Sequence, residues 1–415
     1  MAYLELKKIG YQLHQDPQAI SEEYNKRFNS IGTIKTNLFP SFMNRDDPSS
    51  KQYELFVVPL PEIYISTERI TNNSKLIQKI ADDLPHLAGM QFFYDTLSKE
   101  IISTNEIEGV RSTRKELEKA INAVEKKNTK NVRLASTVKM YMATFEDRNI
   151  QIKNLADIRL IYDKLLNNEI KPDDMPDGLY FRKDSVKIVN ASGQAIHYPP
   201  VGEEQINNRL EQWVSFINNK QIPFLVKALT AHFFFENTHP FYDGNGRTGR
   251  YILSTYLSRK LDKFTGMSFS QIVNAQKSKY YEAFKITGDN SNYGEATFFV
   301  LTILQLIEDS QHTIIESLNN KQEKLARANK AISALYKHDT VENFVLSLLS
   351  QVALFSDDTE TNVKDMDIIA IAKKNNLFNT NAIKKAFIEL TEKKYLIQTS
   401  SKPLKHHISP AILDD

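Results

Sequence analysis

The chain has 415 residues, of which 41% are hydrophobic and 25% charged, and 53 Lys and Arg offset 51 Asp and Glu to a formal net charge of +2. These values fit a globular protein of two or three domains and give no bulk electrostatic reason to bind nucleic acid or an acidic membrane. The absence of cysteine excludes disulfides, thiolate metal sites and cysteine nucleophiles, and it fits a reducing compartment.

The N-terminus, MAYLELKKIGYQLHQDPQ, is charged where a secretion signal needs an apolar run. No stretch approaches the roughly 20 continuous apolar residues that cross a bilayer. A cytoplasmic protein without membrane partners is expected. Up to about residue 75 the pattern is mixed and holds Pro40, Pro48, Pro59 and Pro61, which predicts an irregular arm with short strands or helices. From residue 76, Ile77, Ile80, Ala81, Leu84 and Leu87 recur at helical spacing, and Phe92, Leu97 and Ile101 continue it until Gly109 breaks the pattern. Ser112, with Glu116 and Leu117 downstream, reads as a new helix start.

Segments 132–147, 154–168, 203–218 and 223–236 also read as helices. Between them VKIVNASGQAIH (186–197) alternates around a turn sequence and predicts a lone β-hairpin. Helix resumes over 249–262, 270–287 and 295–335, the last with a very polar second half suited to a linker helix. From about 340 three helical segments precede a short polar extension with Lys402, Lys405, His406 and His407. That rhythm resembles a winged helix-turn-helix. The fold class expected is mainly α, divided at about 1–90, 91–300, 301–338 and 339–415.

One stretch concentrates chemistry: His239-Pro-Phe-Tyr-Asp243-Gly244-Asn245-Gly246-Arg247-Thr248-Gly249-Arg250. Its glycines let the backbone fold tightly with N–H groups turned into one concavity, an anion nest. The helix that follows adds its own N-terminal N–H groups and dipole. Arg247 and Arg250 lie three apart and can reach one phosphate chain. Asp243 offers a hard oxygen suited to Mg²⁺, and His239 can accept a proton near neutral pH. Each feature alone is commonly structural; their order and spacing point to nucleotide polyphosphate chemistry with a general base.

The stretch resembles the signature of the Fic family, HxFx(D/E)GNGRxxR, at every fixed position. The resemblance implies a helical Fic-type bundle over roughly 90–300 that transfers AMP from ATP to a Ser, Thr or Tyr hydroxyl of a target protein. It implies His239 as base, Phe241 as anchor of the loop, and Asp243 as ligand of Mg²⁺. Gly244, Asn245 and Gly246 would form the anion hole, flanked by Thr248 and Gly249, with Arg247 and Arg250 on the phosphates.

The hairpin 186–198, with Ala195, Ile196 and His197, resembles the family's flap, which clamps a target segment by strand addition. Tyr280 and Tyr281 match its nucleotide-pocket pair, Tyr281 being the preferred contact. Thr104-Asn-Glu-Ile-Glu108-Gly109 fits the family's inhibitory pattern, so that a helix over 91–109 would bring Glu108 to Arg250. Self-modification and a homodimer are compatible with this reading. Two alternatives stay open: a Fic enzyme that transfers another phosphate-containing group, and a regulator that binds DNA through Lys384, Lys385, Lys393 and Lys394. Gly246 argues against the phosphate-transferring Doc branch. An intact His239, together with the acidic FSDDTET beside the C-terminal module, disfavours DNA as partner.

Overall fold

The computed structural model describes residues 3–42, 52–189, 192–356 and 363–413. Pro48 and the acidic positions Asp357 to Thr361 lie outside the described residues, as do two residues of the hairpin turn, Asn190 and Ala191. The chain is mainly helical, and among the described residues the strands form three two-stranded antiparallel ribbons. It divides into two compact units, one of residues 1–75 and 98–311, the other of 76–97 and 312–415. No helix among the described residues is long and apolar enough to cross a membrane.

The first unit is built around the helix Phe224–Thr238, whose residues are buried almost without exception. Its sequence, FLVKALTAHFFFENT, is apolar on every side, which marks a central helix rather than a surface one. The helices Glu203–Asn218 and Asn245–Lys260 flank it. Ahead of them, Thr113 caps the helix Arg114–Glu125 and Asn154 caps Leu155–Leu165, each in a reciprocal capping box. Helix entry is therefore at Thr113, one residue after the expected start, because Glu116 stands three residues from Thr113 and can return the bond.

The N-terminal arm is more regular than its prolines suggested. Helices Leu6–Gln12 and Pro17–Phe28 lead to a short ribbon, Ile34–Lys35 against Phe56–Val57. Arg27 then pairs with buried Glu295 at 2.9 Å. A long helix begins at Pro61 and runs to Asp82. Proline is well tolerated in a first turn, where its missing N–H has no helical partner anyway.

The segment 270–287 is two helices, Phe269–Ala275 and Lys277–Gly288, broken at Gln276. In the second unit, helices Val341–Phe355, Asp365–Lys374 and Thr380–Glu392 precede a hairpin, Leu396–Ser401 with Leu404–Ile408. Ile332, Leu346, Ile368, Ile383, Phe387 and Leu390 form its core.

Candidate active site

The twelve-residue motif folds as a tight link between two helices. His239 terminates Phe224–Thr238 in the left-handed region, with φ 49° and ψ 63°. Its carbonyl accepts from Arg182 Nε at 2.9 Å, and the same guanidinium donates to the carbonyls of Asp184 and Pro200. Phe241 is fully buried and stacks on Tyr162 with ring centroids 3.8 Å apart. Asn245 pins the turn from inside, accepting from Phe241 N and donating to Phe241 O, both at 2.8 Å. Gly244 sits at φ +84°, and a Cβ there would overlap the side chain of Leu166. No other residue type fits that place without strain.

The helix Asn245–Lys260 begins at this turn, so its first N–H groups face the loop. Arg247 is buried and donates to Asp243 Oδ2 at 3.2 Å, while its Nε has no partner among the described residues. Arg250 is also buried. Its Nε donates to Thr104 Oγ1 at 3.0 Å, and one terminal nitrogen donates to Thr104 O at 3.0 Å and to Glu108 Oε1 at 2.8 Å. Thr104 and Glu108 are thus both bonded to Arg250.

A Cβ on Gly246 would overlap Glu108 Oε1 and come within 2.8 Å of Arg250 Nη1. The carboxylate therefore lies against Gly246. Burial pushes the Glu108 pKa upward, but the charges of Arg250 and Arg247 and the bond to Arg250 hold it below the ordinary value. The same pairing outweighs burial at Arg250 and raises its pKa.

His239 is pushed down to about 4, first by burial and then by its neighbours His197 and Arg182. It is a neutral imidazole at pH 7, and its buried Nδ1 has no hydrogen-bond partner among the described residues. The hairpin strands are Ile188–Val189 and Ala195–His197. Its last residue is tied to the helix Phe224–Thr238: His197 is buried, with Nε2 2.8 Å from the carbonyl of Asn237. Ala195 and Ile196 stay partly exposed. Tyr280 is buried with its hydroxyl 2.7 Å from His232 Nε2, whereas Tyr281 is 50% exposed beside it. Of the two tyrosines, Tyr281 is the one a ligand can reach. The side chain of Thr248 is buried inside the helix.

Several contributors gave little sign of themselves in the sequence. Arg182 holds the His239 carbonyl from a loop 57 positions away. Glu236 presses against Gly249, where a Cβ would overlap Oε1, and burial raises its pKa to about 8 despite Arg250. Glu100 is buried and accepts from Ser270 N at 2.9 Å and from the Ser254 hydroxyl at 3.3 Å. The advance signal for Glu236 was an acidic residue in a largely apolar helix that also carries Lys227, and Glu100 could have been noted for standing four residues before Thr104.

Residues 152–257 match the model of the Fic/DOC family. The chain is similar to a protein adenylyltransferase Fic from Drosophila virilis, 31% identical over 134 residues that are 32% of this chain and 24% of the relative. The Drosophila melanogaster protein of the same name is 30% identical over a region of the same length and coverage. The chain thus spans about a quarter of the length of these curated relatives. Among solved structures, a Fic family protein from Desulfovibrio desulfuricans G20 aligns with a TM-score of 0.47 at 15% identity, covering 85% of this chain and 97% of that one. Residues 91–133, with Thr104 and Glu108, precede the matched segment, and the whole motif from His239 to Arg250 lies inside it. The chain carries a Fic/DOC family domain.

Proposed function

We propose that this protein transfers the AMP moiety of ATP to a Ser, Thr or Tyr hydroxyl of a target protein, and that Glu108 restrains the reaction. The observation that carries this reading is an internal anion, the Glu108 carboxylate, held on Arg250 and against Gly246 in the first turn of the helix Asn245–Lys260. A site that accepts a carboxylate there is built for the negative oxygens of a phosphate.

In the proposed reaction the target hydroxyl oxygen bonds to the α-phosphorus and the bond from that phosphorus to the bridging oxygen of pyrophosphate breaks. The hydroxyl proton passes to the neutral imidazole of His239. The motif N–H groups and Arg247 stabilise the charge that develops on phosphate oxygens, and positioning supplies much of the rest. Asp243 fits as the protein's ligand for Mg²⁺. It is a single carboxylate, 44% exposed, at the edge of the nest, and Mg²⁺ commonly takes one or two carboxylates with substrate phosphates. Bound there, the ion would neutralise phosphate charge. The hairpin strands are paired on one side only, which leaves backbone groups at Ile196 and its neighbours for a target segment to align on.

Incubation with ATP labelled at either the α- or the γ-phosphate tests the reading. Label from the α-position alone should stay on protein; retention of γ-label would mean phosphoryl transfer instead. Glu108→Gly should raise α-labelling about 10- to 100-fold, the worth of one charge-assisted hydrogen bond. His239→Ala should lower it by about 10²- to 10⁴-fold with ATP binding retained. Unchanged or weaker labelling by Glu108→Gly would remove the restraint from the proposal.

A further inference from the structure

On the far side of the motif helix, a cavity of about 160 Å³ opens among the helices Leu155–Leu165, Glu203–Asn218, Phe224–Thr238 and Asn245–Lys260. Ile252, Tyr256 and Arg259 line it, on the helix face opposite Arg247, Arg250 and Ser254. Of the motif residues His239 to Arg250 only Gly249 lines it, so the cavity is separate from the Gly244–Arg247 turn. Its floor is apolar, with Ile161, Trp213, Ala231, Phe235 and Leu253 all buried.

The charge around it is one-sided. Lys153, Lys227 and Arg259 line the cavity, and among the described residues no Asp or Glu does. Lys227 is 8% exposed, and its ammonium donates to a neutral partner, the carbonyl of Asn219, at 2.6 Å. Arg259 is exposed at the mouth, its guanidinium 5.4 Å from the centre of the Tyr256 ring, and it forms no ion pair among the described residues. The Tyr256 hydroxyl and Asn149 Oδ1 are buried in the lining without a partner. Burial, with Lys260 and Arg259 nearby, lowers the Lys227 pKa. A buried cation held only by neutral groups is costly, and an anion would relieve it.

We propose that this cavity binds a small organic anion with a single-ring apolar body, the ring against Trp213 and Phe235 and the carboxylate at Lys227 and Arg259. An engineered apolar cavity of roughly 150 Å³ accepts benzene, so one ring fits here and a nucleotide does not. Apolar walls with few placed polar groups are the usual composition of a small-molecule site.

Trp213 is the only tryptophan of the chain, so its emission reports on this cavity directly. Titration of the full chain with benzoate should change that emission saturably, with matching heat in calorimetry. Benzamide, which has the same ring without the charge, should bind about tenfold or more weakly. Arg259→Gln, an exposed change unlike Lys227→Met, should weaken benzoate and leave benzamide unaltered, with an unchanged melting temperature as the check on folding. Lys227→Met should act in the same direction. Equal affinity for benzoate and benzamide, or no saturable signal from either by both methods, would overturn the proposal. Neither result depends on transferase activity, so failure here and failure of the AMP-transfer reading are distinguishable.

Discussion

Two titratable residues beside the nest have opposite signs of pH linkage. His239 is held down at about 4, so in the folded protein it stays neutral well below the usual histidine range. Its contribution to stability is present above the unfolded value near 6.5 and is lost as pH falls toward 4. Carbon-13 NMR of the labelled ring should show no protonation between pH 8 and 5.5; a midpoint near 6.5 would mean that the ring is solvated. Glu236 is held up at about 8, first by burial. Its contribution is full below the unfolded carboxyl range near 4.5 and is lost as pH rises through 8. Thermal unfolding should therefore lose more stability between pH 6 and 9 in the wild type than in Glu236→Gln. Equal loss in both would assign the carboxylate to a solvated position. The motif residues were legible because they are consecutive. Glu236 and Arg182 were not, since what makes them matter is a neighbour brought by the fold.

At the scale of elements, legibility followed local chemistry. The helix Glu203–Asn218 and the hairpin strands coincide with their expected segments, because apolar period and turn residues suffice there. The helix start at Thr113 rests on spacing to Glu116, and the cap is testable. Thr113→Ala should cost about 1 kcal/mol of helix stability, read as faster amide exchange in the first turn of Arg114–Glu125. Unaltered exchange there would mean that packing of Leu117 and Ile121 holds the turn without the cap. The break at Gln276 had no glycine or proline to announce it. Its side chain donates to Asp309 at 2.9 Å, a tertiary contact between segments 33 positions apart. In the C-terminal unit Lys393 is engaged by Glu389 at 2.7 Å and by the Tyr336 hydroxyl at 3.2 Å. Lys384, Lys385 and Lys394 remain exposed.

For the molecule as a whole, the division into two units runs through helices rather than between them. Pro61–Asp82, His86–Ile107 and Thr297–Leu335 each contribute residues to both. A sequence reading looks for boundaries in loops rich in proline and glycine, and such a division leaves no mark of that kind. Ile332, near the end of the 39-residue helix, is fully buried in the core shared with Leu346 and Phe387. Truncating it to alanine should cost about 2–5 kcal/mol in that unit. Hydrogen exchange should quicken in Thr380–Glu392 and stay unchanged in Asn245–Lys260. Equal loosening of both would show that the two units unfold as one.

Glu100, Thr104 and Glu108 repeat every four residues along one helix, and the first of them is bonded deep in the core. Near the other end, Glu106 is held by Asn274 at 2.7 Å, and a Cβ on Gly109, at φ +71°, would meet open space. Departure of the whole helix would break all these bonds, whereas fraying of its last turn breaks few. Helix ends open and close on nanosecond to microsecond times, at small free-energy cost. With a bond worth about 1.5–3 kcal/mol, the Glu108 carboxylate would be off Arg250 for roughly 0.6–7% of the time, while Thr104 still holds the guanidinium. Under the restraint proposed above, such a contact would set a duty cycle: the resting protein would run dimly without ever being dark, and a signal would need only to lengthen the intervals in which one turn is undone.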